Sequence, residues 1–156
     1  MNLPKLADID VSGKRALVRL DLDTPEGDDS RLKAATKTLD YLKSKNSRII
    51  VIGHKGRPEG KVDESLSTKL LQPYFDKWRA RVEENLRFDP GEENNNEQFA
   101  MNLASLGDIY INEAFAVSHR AHASIVSLPK LLPHAAGFRF IEEVEHLERQ
   151  FQKPVV

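Results

Sequence analysis

Residues 48–53, Arg-Ile-Ile-Val-Ile-Gly, are almost continuously apolar after the leading arginine, the pattern of a strand covered on both faces rather than one. A run of similar character, Ala16 to Leu22 (ALVRLDL), lies upstream between Gly13 and the turn cluster TPEGDDS, residues 24–30. Between the two runs the period changes. Leu32, Ala35, Leu39 and Leu42 recur at helical spacing up to Lys45, with Asp29 or Ser30 as the candidate N-cap and Asn46 as the stop. Strands joined through helices, one of them buried on both sides, call for a parallel sheet with helices packed against it.

Downstream the alternation continues. Ser65 to Leu71 starts a helix that Pro73 must bend, restart or end. A short, weaker strand is expected at Val82 to Leu86, and a third strong run at Asp108 to Ala114 (DIYINEA). Glu97 to Leu106 carries Phe99, Leu103 and Leu106 on one helical face and meets Gly107, a candidate C-cap. Ala135 to Phe138 reads as a last strand, and Ile141, Val144, Leu147 and Phe151 trace a stripe down a charged helix that stops at Pro154. The low-complexity stretch GEENNNEQ, residues 91–98, reads as a solvated loop leading into a helix. The expected fold class is α/β: a three-layer α/β/α, Rossmann-like domain with a mainly parallel sheet.

At 156 residues, 40% hydrophobic and 30% charged, the chain suits one domain with a true core. A formal net charge of −1 excludes a general nucleic-acid or membrane-surface binder, which needs a net basic field. The lack of cysteine removes disulfides, thiolate metal sites and thiol catalysis together. No run of 18 apolar residues exists, and MNLPKLADIDVSGK is neither a signal peptide nor a basic transit segment. A soluble, cytoplasmic chain is the expectation.

Positive charge is local instead. His54, Arg57, Arg87 and Arg120 fall just past the ends of separate strand runs, and ligands of open α/β sheets sit outside the carboxyl ends of the strands. Guanidinium forks match phosphate or carboxylate oxygens two at a time, so converging arginines imply a substrate with several anionic oxygens. Asp21 and Asp23, two residues apart at the first strand's exit, point to one face and suit substrate hydroxyls; taken alone, Asp-Thr-Pro reads first as a turn. Gly56 beside Arg57 lets an amide and a guanidinium approach one anion. Asn112 to Ser124 (NEAFAVSHRAHAS), with two histidines and an arginine among small residues, reads as a docking place rather than core. Metal binding by His119 and His122 is a rival reading, without cysteine or a well-spaced carboxylate pair to support it. A catalytic histidine is another, but His119 has no nucleophile motif nearby.

Taken together, RLDLDTP, DDSRLKAATKTLDYL, IGHKGRPEGK, ENLRF, EQFAMNLASLGDIYINEAFAVSHRAHAS and AGFRFIEEVEHL resemble, in this order, the N-terminal half of phosphoglycerate kinase. That family is a two-domain enzyme of glycolysis whose first domain binds 3-phosphoglycerate and whose second binds magnesium with ADP or ATP. The resemblance implies that residues 1–152 are the acid-binding domain, and that 153–156 (KPVV) begin the link to a missing C-terminal domain. It implies 3-phosphoglycerate or 1,3-bisphosphoglycerate as ligand and Asp21, Asp23, Arg31, His54, Arg57, Arg87 and Arg120 around it. Arg31, the catalytic member, would stabilise charge on the transferred phosphoryl group. No metal or cofactor is expected on this domain; Mg-ATP or ADP would come only with the other. Alone the chain is expected to be inactive.

Four departures from the family pattern matter. Asp23 stands where the family has Asn, placing a carboxylate before an anionic substrate. Glu113 replaces Asp and Ala116 replaces Gly, each expected to shift the strand exit slightly. Between Trp78 and Glu83 the chain runs through RARV where the family has a further strand and helix; a lost β-α unit and omitted residues both remain open. The fourth is the sequence's stop at KPVV, where the second domain would begin. Two other readings stand beside the enzyme: a stand-alone acid-binding or regulatory module, and an isolated folding fragment.

Overall fold

The computed structural model describes residues 3–152. Five strands, β1 (Arg15–Arg19), β2 (Arg48–Ile52), β3 (Arg81–Val82), β4 (Ile109–Asn112) and β5 (His134–Ala136), form one sheet in the order β3-β2-β1-β4-β5, with every pairing parallel. The helices are α1 (Ser30–Lys33), α2 (Thr36–Ser44), α3 (Gln72–Phe75), α4 (Pro90–Glu93), α5 (Glu97–Ala104) and α6 (Phe138–Gln152), joined by short 3₁₀ turns. The chain steps outward from β1 to β3, then crosses back to lay β4 on the other side of β1. That reversal between β1 and β4 opens a crevice at the carboxyl ends of the strands.

The alternation of strand side chains builds two cores. Ala16, Val18, Ile49, Val51, Ile109 and Ile111 face Leu39, Leu42, Phe75 and Trp78 on one side, while Leu17, Ile50, Ile52 and Tyr110 face Leu86, Leu103 and Leu128 on the other. Fully burying one such aliphatic side chain stabilises by roughly 1.5–3 kcal/mol, so the two cores set the sheet's register firmly. Arg19 shares the second face with Leu17, two residues earlier, and is completely buried there.

Local differences from the sequence expectations have physical causes. The helix expected from Ser30 to Lys45 is broken at Ala34 and Ala35, and Asn46 ends it in a left-handed conformation (φ 57°). Pro73 restarts the chain: it lies in the first turn of α3, where its missing N–H costs nothing. The weak run Val82 to Leu86 pairs only at Arg81–Val82, and Leu86–Phe88 turns into a 3₁₀ segment whose Asn85 side chain accepts from Arg87 N–H. Gly107 is not a left-handed cap. Its role is close approach, since a Cβ there would sit 2.7 Å from Leu17 Cγ. The last strand ends at Ala136, because Phe138 already opens α6. The stretch read as a solvated loop contains α4, with Gly91 and Glu92 buried. KPVV lies outside the described residues.

The edge at β3 is closed by a side chain. Gln72 Oε1 accepts from Val82 N–H at 2.9 Å and its Nε2 donates to the Ala80 carbonyl at 2.7 Å, the bonds a further strand would make. On α6, Phe140 and Val144 are buried, whereas Leu147 and Phe151 stand exposed.

Candidate functional site

The three turns that follow β1, β2 and β4, the 3₁₀ segment after β3, and the start of α1 meet over the carboxyl edge of the sheet. Asp21 and Asp23 come from the first turn, Arg31 from α1, His54 and Arg57 from the second, Arg87 from the 3₁₀ segment and Arg120 from the loop after β4. All seven line one cavity of about 370 Å³, together with Gly56, Ala116 and Val117. An adjoining hollow of about 260 Å³ shares Asp21, Arg31 and Ala116 with it. Among the described residues no group of three or more His, Asp or Glu is placed to hold a metal ion.

The loop after β2 is fixed from several sides. Gly56 has φ 64°, the conformation that favours glycine, and a Cβ there would stand 2.9 Å from Leu66 Cδ2, so that side chain would have to shift. Its N–H donates to Asp23 Oδ1 at 3.1 Å and its carbonyl accepts from Arg87 Nη1 at 3.0 Å. Asn85 Nδ2 donates to the carbonyls of Lys55 and Leu66. Arg31 donates to the Asp23 carbonyl and lies 3.7 Å from Asp21 Oδ1. Arg57 and Arg120 are different. They are exposed, and neither side chain has a hydrogen bond or ion pair among the described residues.

Beneath the cavity runs a buried polar network absent from the sequence reading. Arg19 donates from Nε to Ser124 Oγ (3.0 Å), from Nη1 to the Leu20 carbonyl (2.6 Å) and from Nη2 to His54 Nδ1 (2.9 Å). Its charge is balanced by Glu92, also fully buried, 4.0 Å away. Glu92 in turn accepts from Ser124 N–H (2.8 Å) and Ser124 Oγ (2.6 Å), while Tyr110 Oη donates to the Ser124 carbonyl (2.7 Å). Burial pushes the Tyr110 hydroxyl pKa up and lowers that of Arg19, with Glu92 opposing the latter.

This network assigns the state of His54. A guanidinium only donates, so Nδ1 is the acceptor and the proton resides on Nε2, which faces Asp23 Oδ2 at 3.9 Å. Burial, then the positive charges of Arg19 and Arg87, push its pKa down to about 3. His54 is therefore a neutral donor near pH 7, not the fourth positive group that strand-end counting implied. Arg87 is mostly buried, with its Nε lacking a hydrogen-bond partner among the described residues and Glu93 4.0 Å off.

The HRAHAS stretch divides between surface and core. His119 and Arg120 are exposed, whereas His122, Ala123 and Ser124 are buried, so its second half packs rather than docks. His122 Nδ1 has no hydrogen-bond partner among the described residues, and burial lowers its pKa. Glu113 is an anchor at the start of α6. It accepts from Arg139 N–H and Phe140 N–H, and from Thr38 Oγ1, whose oxygen accepts from Phe138 N–H. Burial pushes its pKa up. A Cβ on Gly137 would collide with the Glu113 carboxylate, so the longer acid needs glycine opposite.

With this geometry in view, the family model for phosphoglycerate kinase matches residues 6–83 and 76–156. The chain belongs to the phosphoglycerate kinase family. It is 40% identical to the phosphoglycerate kinase of Thermomicrobium roseum, over 91% of this chain and 44% of that protein. Against that of Coprothermobacter proteolyticus it is 37% identical over 99% of this chain and 47% of the relative. The solved phosphoglycerate kinase of Coxiella burnetii superimposes with a TM-score of 0.91 at 29% identity, over 98% of this chain and 46% of that one. The chain thus spans about half the length of the phosphoglycerate kinases it matches. One match runs over 186 positions against a chain of 156, and the two pieces of the family model meet at 76–83, beside β3.

Arg19, Glu92 and Ser124 are the residues beneath this site that sequence reasoning missed. One signal existed: Arg19 occupies an inward position within an apolar strand, where a charge demands a partner. The identity of that partner, more than seventy residues away and inside an apparent polar loop, carried no local mark.

Proposed function

We propose that this chain is the 3-phosphoglycerate-binding half of a cytoplasmic phosphoglycerate kinase. Residues 1–152 make the acid-binding domain, without the β-α unit of the family pattern near 78–83, whether that unit is lost or the sequence omits it, and 153–156 begin the link to a nucleotide-binding domain. The observation that carries this reading is the gathering of Asp21, Asp23, Arg31, His54, Arg57, Arg87 and Arg120 around one cavity in a member of that family. Family membership alone gives no pocket, and a basic pocket alone gives no substrate.

In this reading the free forks of Arg57 and Arg120, with Arg87 beneath them, take the 3-phosphate, and His54 Nε2 donates one neutral hydrogen bond. Asp21 and Asp23 orient the hydroxyl and carboxyl end. Arg31 faces the carboxyl-phosphate and stabilises charge as the phosphoryl group moves between 1,3-bisphosphoglycerate and ADP. Phosphoryl transfer needs positioning and charge stabilisation rather than a protein nucleophile, which suits a cavity of this composition. Magnesium and the nucleotide belong to the other domain; the residues here hold the acid and do not transfer phosphoryl by themselves. Among the described residues no helix is long and apolar enough to cross a membrane.

Titration with 3-phosphoglycerate, followed by amide shifts, tests the reading. Saturable shifts centred on Arg57 and Arg120 are expected. Their absence at millimolar ligand, with the chain folded, would overturn it.

A further inference from the structure

The opposite end of the sheet holds a second basic concavity that the acid site does not use. A cavity of about 590 Å³ at the amino ends of β1, β2 and β3 is lined by Arg15, Lys43, Arg48, Arg79 and Arg81, with Trp78 in its wall and no carboxylate among its lining residues. It lies where the two pieces of the family model meet, and Arg79 and Arg81 reach it from that segment. In a chain of net charge −1, five cations around one hollow are a strong local excess.

The partners of these cations show which already have a contact within the fold. Arg15 grips Asp108 with Nη2 at 3.0 Å, Arg81 Nε lies 2.7 Å from Glu83, and Lys43 Nζ donates to the Lys77 carbonyl at 2.8 Å. Arg48 and Arg79 are exposed, with no side-chain hydrogen bond or ion pair among the described residues. Moreover, Arg15 and Arg48 are register partners on adjacent parallel strands, so two like charges start side by side at this edge. Asp108 is gripped by Arg15, with Lys14 also near it. The guanidinium of Arg48 is left without a counter-charge at the mouth of the hollow.

We propose that this cavity is an anion site for a diphosphate group, free or carried by a nucleotide, held by Arg48 and Arg79 with Lys43 and Arg81 in support. Two unpartnered guanidinium forks suit two adjacent phosphoryl groups better than a single carboxylate. The hollow also exceeds the acid cavity in volume, about 590 Å³ against about 370 Å³.

Trp78, the single tryptophan of the chain, reports on this cavity and not on the acid site. Lys77 Nζ lies 4.2 Å from the centroid of its ring, so an anion that draws this cation changes the indole's surroundings. Titrating the chain with pyrophosphate, and separately with ADP, at low ionic strength should give a saturable change in Trp78 fluorescence. The Arg48→Ala/Arg79→Ala double variant should weaken it by about tenfold or more, the scale of losing two charge-assisted donors. Arg57→Ala/Arg120→Ala should leave it unchanged, and the Arg48/Arg79 variant should still bind 3-phosphoglycerate. Tighter binding of ADP would assign the nucleotide as source, equal or weaker binding the free anion. No saturable change at millimolar pyrophosphate or ADP, undiminished affinity in the Arg48/Arg79 variant, or the same response to sodium chloride at matched ionic strength would overturn the proposal. Both altered side chains are exposed, and a circular dichroism melt verifies that the variant is folded.

Discussion

Arg19 and Arg120 carry the same guanidinium a short distance apart and serve opposite ends. Arg19 is entirely buried and has donated to a hydroxyl, a carbonyl and an imidazole, with Glu92 balancing its charge. Arg120, like Arg57, is exposed with no partner among the described residues, yet both line the same cavity as His54. What separates them is whether the fork's donors are already consumed by the fold. A consumed fork orients its neighbours; a free one awaits an anion.

The sharpest way to break this contrast is to remove a buried partner. Glu92→Ala should cost about 3–5 kcal/mol of folding stability in urea unfolding, because it leaves Arg19 buried without a counter-charge. A loss under 1 kcal/mol would place Arg19 with the surface arginines. Next in size are the free forks. Arg57→Ala or Arg120→Ala should each weaken 3-phosphoglycerate binding by roughly 1.5–3 kcal/mol, read by calorimetry, while shifting stability by no more than about 0.5 kcal/mol. If either variant unfolds or binds normally, the division into consumed and free forks fails.

A pH-dependent effect probes the link between the two classes. The His54 pKa falls from 6.5 unfolded to about 3 folded, so the folded state binds fewer protons between these values. Its contribution is fully present above pH 6.5 and is lost as pH falls towards 3, at about 1.4 kcal/mol per pH unit. His54→Gln should flatten the acid limb of the stability profile by that slope; an unchanged limb would show that burial and the neighbouring arginines do not hold the imidazole neutral. The smallest expected change is at the rim. Asp23→Asn keeps an oxygen for Gly56 N–H but removes a negative charge from the cavity, and should tighten 3-phosphoglycerate binding by less than about tenfold. Unchanged affinity would mean that the Gly56 N–H and the nearby Arg87 charge already offset that carboxylate.

Much of the architecture was legible because hydrophobic periodicity acts through near neighbours. RIIVIG, ALVRLDL and DIYINEA all became strands of a parallel sheet, and the family membership implied by the ordered motifs is shown by the family model. Boundaries failed where backbone geometry competes with pattern. Gly107 looked like a helix stop but serves packing against Leu17, and Pro73, which the pattern left free to bend, restart or end a helix, restarts one. Glu92 in GEENNNEQ was misread for a different reason: composition signals solvation, and only the approach of Arg19 makes burial of that carboxylate tolerable.

The sequence by itself determined the layered α/β plan, the family, and which side chains stand near strand ends, because each depends on local period or on the order of short motifs. Tertiary structure alone decided that Asp21, Arg31, Arg57, Arg87 and Arg120 share one cavity, that His54 is neutral, and that free cations also gather at the far end of the sheet. Those properties come from through-space distance and desolvation, and both are set by residues remote along the chain, as with Arg19, Glu92 and Ser124.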